Sequence, residues 1–184
     1  MKKWIIPMLI IMGVAAIAAD KPATTTAPQM AMGAPAEMKQ LAVLAGSWDV
    51  AGQIKADPNG TWTDFKATCT FTSVLDGAVL QEDYKGDFQG MPFNGIGLFC
   101  YNREIKKWQT SWIDNMSATL SLYEGDYANG NLVCSGEDRM GGMVMHSRIS
   151  MSNITDKKLD WLLENSLDGG KTWNQFMKAV YTKK

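Results

Sequence analysis

Two residues at the end of one strand-like segment, Trp112 and Asp114, are well placed for binding or catalysis. Alternate residues of a β-strand share a face, so both side chains point to the same side as Trp108. A carboxylate beside an aromatic wall can have a raised pKa and can orient a polar ligand. The alternative is that Trp112 packs in the core and that Asp114 begins a turn with Asn115, since Asx side chains hydrogen-bond their own backbone. The spacing predicts either a ligand-facing pair or a wall residue followed by a turn.

The single histidine, His146, forms a second candidate pair with Arg148. In a strand these two residues share a face with Val144. If this polar face lines a cavity, both side chains can contact a ligand; if it faces outward, both lie in solvent. The opposite, more apolar face carries Met143, Met145, Ile149 and Met151.

Glu82, Arg139 and Tyr181 are further candidates for a polar lining. Glu82 shares a strand face with Tyr84, which favours an interior position, and a buried carboxylate requires a partner. Arg139 or Arg148 could supply that partner, and an interior arginine suits an anionic head group through bidentate contact. The alternative for each charged residue is a weak ion pair at the surface.

From residue 46 onward, the segments that must position these residues are predicted to be β-strands. Strand-like runs recur roughly every 10 to 14 residues, separated by turn chemistry, which is typical of an all-β domain. About ten strands are expected. They begin near Trp48, Phe65, Ala78, Phe93, Lys107, Ala118, Asn131, Met143, Lys157 and Trp173.

Short connections make sequential strands antiparallel neighbours, and closure of the sheet removes its two edges. The sequence therefore predicts an all-β fold, a single antiparallel up-and-down barrel of about ten strands. Such a barrel holds a small ligand or is filled by its own side chains. A two-sheet sandwich is the alternative, but it needs longer crossover connections than this chain provides.

A short N-terminal helix is expected over residues 35–45, with Pro35 at its first position, Glu37 at its positive end and Gly46 as its stop. It would cap one end of the barrel. Its apolar stripe is Met38, Leu41, Ala42 and Ala45.

Four motifs in order carry a family resemblance. They are Gly46-Ser47-Trp48, Gly97-x-x-x-Tyr101, Trp112-Ile113-Asp114-Asn115, and the ending Asp168-Gly169-Gly170-Lys171-Thr172-Trp173 followed by Met177 and Tyr181. Together they resemble bacterial domain-of-unknown-function family 1579, which is placed among the calycin-like barrels. The resemblance covers nearly all of residues 41–181.

The resemblance implies a calycin-like barrel, similar to lipocalins and fatty-acid-binding proteins, and offers no agreed catalytic residues to carry over. It adds Trp48 and Tyr101 to the candidate lining. It also raises haem as a cofactor, because a lone histidine such as His146 ligates haem iron in the haem-binding calycin barrels. The candidate ligand-binding residues are Trp48, Glu82, Tyr101, Trp112, Asp114, Arg139, His146 and Arg148.

The amino terminus predicts export. Lys2 and Lys3 precede an apolar run that ends in a small-residue site, which is typical of a secretory signal peptide over residues 1–18. Cleavage is expected before Ala19 or Asp20, leaving no stable membrane anchor; an uncleaved anchor is the alternative. Residues 19–34 predict a disordered linker, and residues 35–184 the barrel domain. The predicted location is periplasmic or secreted.

The three cysteines are not expected to form a disulfide. Cys69, Cys100 and Cys134 fall on strands that are not neighbours in the expected meander, so three buried thiols are predicted rather than a disulfide.

Loss of Lys2 and Lys3 with the leader lowers the formal charge from −1 to −3. This balance does not favour nucleic-acid binding.

Three functions remain. The first is a binding barrel for a small, largely apolar or amphipathic molecule. The second is an enzyme that uses Asp114, Glu82 or His146 as acid or base, although the sequence has no Gly-x-Ser-x-Gly or HExxH signature. The third is an envelope interaction protein with a filled barrel and an exposed apolar patch. The first is the preferred hypothesis.

Overall fold

A computed structural model describes residues 32–55, 57, 59–88, 90–140 and 142–184. The predicted signal peptide (1–18) and residues 19–31 of the predicted linker lie outside these residues. Among the residues described, no helix is both long and apolar enough to cross a membrane.

The described chain forms a closed antiparallel barrel in which each strand pairs with its sequence neighbours and the last strand pairs with the first. The predicted strand starts are correct to within three residues, and the predicted up-and-down barrel is confirmed. The strands are β1 (Gly46–Ile54), β2 (Thr63–Val74), β3 (Val79–Phe88), β4 (Met91–Asn102), β5 (Lys107–Asp114), β6 (Ser121–Ala128), β7 (Asn131–Met140), β8 (Met143–Ser152), β9 (Lys158–Ser166) and β10 (Asn174–Lys183).

Turn chemistry determines the connections. Asn129 and Gly130, between β6 and β7, have φ angles of 53° and 78°. Two consecutive positive φ values match the twist of a two-residue hairpin, and Asn-Gly adopts them at low cost. This turn fixes the register that pairs Ala128 with Asn131.

One half of the lumen is packed solid. We call it the sealed half; it is the end at which β1 begins and β2 finishes. Most of its inward side chains are buried and form one hydrophobic cluster, and the partly buried Tyr101, Tyr127, Ile149 and Trp161 pack against it. The members on the strands include Trp48, Phe71, Leu80, Phe99, Trp108, Leu132, Met151, Leu159 and Tyr181.

The N-terminal helix closes the sealed half, but it is shorter than predicted. A 3-10 turn, Ala36–Met38, leads into one α-helical turn, Lys39–Ala42. The amide of Leu44 then bonds to the carbonyl of Leu41, so the segment follows a period near three rather than 3.6. The buried stripe is therefore Met38, Leu41 and Leu44, and the expected burial of Ala42 and Ala45 was wrong.

The three cysteines are free, as predicted, and lie on the non-neighbouring strands β2, β4 and β7. Cys69 and Cys134 point into the lumen and are buried. Cys100 is only half-buried, because its position in the strand alternation turns it to the outer face. Burial raises the pKa of the Cys134 thiol to about 12, which keeps it protonated and inert.

Candidate functional site

Three aromatic rings meet at the other end of the lumen, which we call the mouth half. The ring of Tyr84 stands edge-on to Phe93 and to Trp112, with centroids 5.8 Å and 5.9 Å apart. Phe93 and Trp112 stack at 6.4 Å with 25° between their planes. The side chains come from β3, β4 and β5, so adjacent strands bring them together from positions distant in sequence.

Inward-facing glycines let the indole of Trp112 lie flat against the barrel wall. A Cβ atom at Gly95 would sit 2.5 Å from Cη2 and 3.0 Å from Cε2 of that indole. A Cβ at Gly97, the register partner of Trp112, would sit 3.5 Å from Cε3. Any side chain at Gly95 would therefore push the ring into the lumen.

The same arrangement occurs elsewhere around the lumen. A Cβ at Gly52 would lie 2.7 Å from Cε1 of Phe65, and one at Gly136 would lie 2.9 Å from Cδ1 of Tyr123. A ring covers Gly52, whereas at Gly136 the nearest atom is the backbone carbonyl oxygen of Leu122 and the ring of Tyr123 lies beside it. The aromatic groups therefore form the walls of the mouth half instead of filling it.

Six inward apolar side chains of the mouth half remain partly exposed to solvent, whereas Tyr84 and Tyr123 are buried. This set, which we call the cup, faces the lumen by strand alternation and by register with the buried core. The lining of the cup is therefore apolar and accessible. Its members are Phe65, Phe93, Trp112, Met145, Leu163 and Met177, and the buried ring of Tyr84 packs against two of them.

Asp114 stands at the rim of the cup, where it holds the Trp112 ring and begins the turn after β5. Its Oδ2 accepts the indole N–H of Trp112 at 3.0 Å, which fixes the ring. Its Oδ1 accepts the amides of Met116 and Ser117, which is the turn alternative. Partial burial raises the pKa of Asp114, but the bonds from Ser117, Trp112 and Met116 outweigh it and hold the pKa below its usual value. A raised pKa was the wrong expectation, and the carboxylate stays ionised.

Glu82 lies inside the barrel, as its strand alternation predicted, and only 5% of it is exposed. Its Oε1 accepts the hydroxyl of Tyr181 at 3.2 Å. Burial raises the pKa of Glu82 to about 7, although hydrogen bonds from Tyr181 and Cys69 act in the opposite direction. The predicted partner, Arg139 or Arg148, was wrong, because a phenol and a thiol satisfy this carboxyl group.

Arg139 and Arg148 both lie on the outer wall, so their placement in a polar lining was wrong. Arg139 is exposed on the outward face of β7. Arg148 pairs with Glu164 at 2.7 Å, and its guanidinium lies 4.2 Å from the ring centroid of Trp173. Alternation turns both away because Asp138 and Ser147, their neighbours in sequence, take the inward positions.

His146 also lies on the outer wall, which is the solvent alternative. Its Nε2 is 3.8 Å from the exposed carboxylate of Glu137. A histidine in this position does not face the lumen, so these residues do not fit a haem held inside the barrel. Within the described residues, no group of three or more His, Cys, Asp or Glu side chains is placed to hold a metal ion.

Trp48 and Tyr101 belong to the sealed half. Trp48 is fully buried and donates its indole N–H to the carbonyl of Leu44 at 2.7 Å, which anchors the helix. Tyr101 packs edge-on against Trp108 at 5.9 Å. Their contacts hold the closed end together and lie away from the cup.

Sequence reasoning missed several inward residues of the mouth half. Phe65, Phe93 and Asp138 lie on the inward faces of their strands, and Asp138 accepts the hydroxyl of Tyr123 at 2.8 Å. The sequence does hold a signal for their inward position, because strand alternation places them on the same face as nearby glycines. Phe93 shares a face with Gly95 and Gly97, and Asp138 shares one with Gly136. Cross-strand register, which the sequence alone does not supply, is needed to use it.

A groove of about 920 Å³ crosses the outer wall of β8, β9, β10, β1 and β2. It is shallow and is lined mostly by outward polar side chains of both signs. Its charges largely satisfy one another, as in the pair of Lys158 and Asp160 at 3.1 Å. The oxygen atom of Asp160 in that pair has no hydrogen bond of good geometry, but the ammonium group neutralises it. The cup is the better candidate site.

Residues 34–183 match the sequence family described as "Protein of unknown function (DUF1579)". The chain belongs to the DUF1579 family. The assignment made from the four motifs is therefore confirmed. No curated protein matches this DUF1579 chain.

Solved structures share the fold of this DUF1579 protein. The crystal structure of Rv2717c from M. tuberculosis has a TM-score of 0.57 at 12% identity, covering 82% of this chain and 99% of that one. The S-type phycobiliprotein lyase CPES from Guillardia theta has a TM-score of 0.51 at 9% identity, covering 80% of this chain and 90% of that one. At these identities the likeness is one of fold.

Proposed function

We propose that this DUF1579 protein is an exported binding barrel that holds a small, largely apolar molecule in the cup. One observation carries the proposal: the lumen-facing rings of Phe65, Phe93 and Trp112 in the mouth half are partly exposed, whereas those of Trp48, Phe71, Phe99 and Trp108 in the sealed half are buried. Apolar side chains inside a domain gain free energy by leaving water, so accessible ones favour an occupant. The sealed half provides the floor of the site.

The geometry of the wall supports binding rather than simple packing. The rings of Phe65 and Trp112 lie over Gly52 and Gly95 at the wall, where any larger residue would push them into the lumen. The glycines therefore support an open site.

A titration with the neutral apolar dye Nile red tests the proposal. We expect saturable binding with an emission increase at one site per chain. Trp112→Ala removes a large part of the wall and should weaken the dye's affinity about tenfold or more, since a buried aromatic contact contributes about 1.5–3 kcal/mol.

The matched control is Ile113→Ala. Ile113 follows Trp112 in β5 but faces outward, with 39% of its surface exposed. The control should bind the dye as the unaltered protein does. Absence of saturable binding, or an equal loss in both variants, would contradict a binding site in the cup.

Export is the second part of the proposal, and the predicted leader supports it. Intact mass of the protein purified from its own host should show that residues 1–18 are absent, with the chain beginning at Ala19 or Asp20. A chain that retains the leader would contradict cleavage and favour the uncleaved anchor.

A second candidate function is self-association through the outer wall. The outward faces of β4, β5 and β6 expose Ile96, Leu98, Ile113 and Leu122, and the first and third of these are direct cross-strand partners. A contiguous apolar patch on an outer wall favours a protein contact. Sedimentation should then show a dimer that Leu122→Glu dissociates; a monomer at all concentrations removes this candidate.

A further inference from the structure

We propose that the cup selects a positively charged amphipathic molecule, that is, an organic ammonium group on an apolar body. The inference rests on the proposed binding function and adds the charge of the ligand. It follows from which charged side chains face the lumen and from the way in which the rings are presented.

The charges that face the lumen of the mouth half are negative. Asp114 lies at the rim of the cup on β5 and Asp138 two strands away on β7, each on the inward face of its strand. Glu82 lies buried at the floor, where burial raises its pKa to about 7, so it carries only part of a negative charge at neutral pH. Among the described strand residues of this half, no lysine, arginine or histidine takes an inward position. The basic side chains of β7 and β8, such as Arg139 and Arg148, lie on the outer wall.

Asp138 is the carboxylate most available to a ligand. It is half-buried on β7, opposite Met145 of β8, so its side chain is directed across the lumen. Its Oδ2 accepts one hydrogen bond, from Tyr123 at 2.8 Å. That bond orients the carboxylate and leaves further acceptor capacity directed at the cup.

The rings offer faces rather than edges. The indole of Trp112 covers Gly95 with one face, so its other face is directed into the lumen. Phe93 stacks beside it with 25° between the ring planes, which places two faces on the same wall. A cation is attracted to the negative face of an aromatic ring, most strongly to that of tryptophan.

An anionic ligand is disfavoured by the same groups. A carboxylate or sulfate head would approach Asp114, whose hydrogen bonds keep it ionised, with no inward cation to compensate. The cup thus lacks the arginine that the sequence offered as a possible inward partner for Glu82. Charge complementarity and ring faces both favour a cation.

Three probes with the same octyl tail test the inference: octyltrimethylammonium, octyl glucoside and octyl sulfate. Titration calorimetry below the micelle concentration gives their affinities for the full exported chain. We expect the ammonium to bind about tenfold more tightly than the sulfate, with the glucoside between them.

Asp138→Asn supplies the variant test. The amide keeps the acceptor for Tyr123 and removes the charge, so affinity for the ammonium should fall about threefold or more, while affinity for the glucoside stays the same. Glu137→Gln is the control, because this exposed carboxylate lies on the outer face of the same strand. It should change neither affinity.

The outcomes separate the two proposals. Equal affinity for all three probes, or preference for the sulfate, overturns the charge inference while the binding function stands. Failure of all three probes and of Nile red overturns the binding function itself. If Glu137→Gln lowers affinity for the ammonium as much as Asp138→Asn does, the overall charge of the protein explains the effect. That result would overturn selection of a cation by the carboxylates that face the lumen.

Discussion

The sealed half and the mouth half of this barrel are built from the same ten described strands, yet they use aromatic residues in opposite ways. In the sealed half, Phe71 projects into the lumen and contacts Trp48 and Phe99 ring to ring, at 6.4 Å and 6.3 Å. In the mouth half, Trp112 lies back over Gly95. The difference shows that closure of the barrel does not determine whether its lumen is filled. Whether a ring fills the lumen or lies against its wall depends on the size of the residue beside it on the neighbouring strand.

A matched pair of phenylalanines gives the largest expected contrast. Phe71→Ala removes a ring that is 2% exposed and should lower the free energy of unfolding by about 3–5 kcal/mol. Phe93→Ala removes a half-buried ring and should cost about 1–2 kcal/mol while abolishing much of the dye binding. Urea unfolding at neutral pH measures both, and equal costs would end the distinction between the halves.

Glu82 stands at the boundary between the halves and gives a pH-dependent contrast. Its pKa rises from 4.5 to about 7 on folding, so the folded state binds a proton more tightly than the unfolded state. Stability is therefore lost as pH rises from about 4.5 to about 7, by a total of about 3 kcal/mol. Glu82→Gln should match the unaltered protein near pH 4 and exceed it in melting temperature above pH 7.

The control for this titration is Glu104→Gln, an exposed residue in the turn between β4 and β5. Its melting temperature should differ from that of the unaltered protein by the same small amount at every pH. If Glu82→Gln also shows a constant difference, the pKa of Glu82 does not differ between the folded and unfolded states.

Gly95→Ala sharpens the contrast through the wall itself. The added methyl group forces the indole of Trp112 off the wall, which should cost about 1–3 kcal/mol and weaken dye binding. In a Trp112→Leu background the same change should be neutral or slightly stabilising, because alanine loses less entropy than glycine in a strand. Additive effects in the double-mutant cycle would show that ring and glycine do not interact.

Two arginines of the outer wall give the smallest effect. Arg148→Met leaves Glu164, whose side chain is 14% exposed, without its ion pair, at a cost of about 1–2 kcal/mol. Arg139→Met should change stability by less than about 0.5 kcal/mol. Neither should alter dye affinity. A loss of dye binding in Arg139→Met would indicate that this arginine lines the lumen.

The fold could be predicted because its signals are local. Turn pairs such as Asn129-Gly130 separate runs of period two, and closure follows from short connections. The helix was predicted too long because its apolar residues fit a period of 3.6 as well as they fit a period of three. Leu44 resolves the choice only through its contact with Trp48.

The site was less predictable because the two faces of its strands are similar in composition. Strand alternation placed Glu82 and Trp112 inside correctly, since buried residues flank each one on the same face. On β7 and β8, both faces mix polar with apolar residues, so Arg139 and His146 could be assigned to either side. Only the register with neighbouring strands decides, and that register is a long-range property.

The glycines beneath the lumen rings have a consequence for how this family can change over evolutionary time. Each ring and its glycine occupy different strands, so reshaping the lumen requires two substitutions. Enlarging Gly95 first creates a steric clash, whereas shrinking Trp112 first creates a space that water or a ligand can fill. The accessible route therefore has a direction, with the ring replaced before the glycine, and a new ligand can be accommodated with no change in strand number.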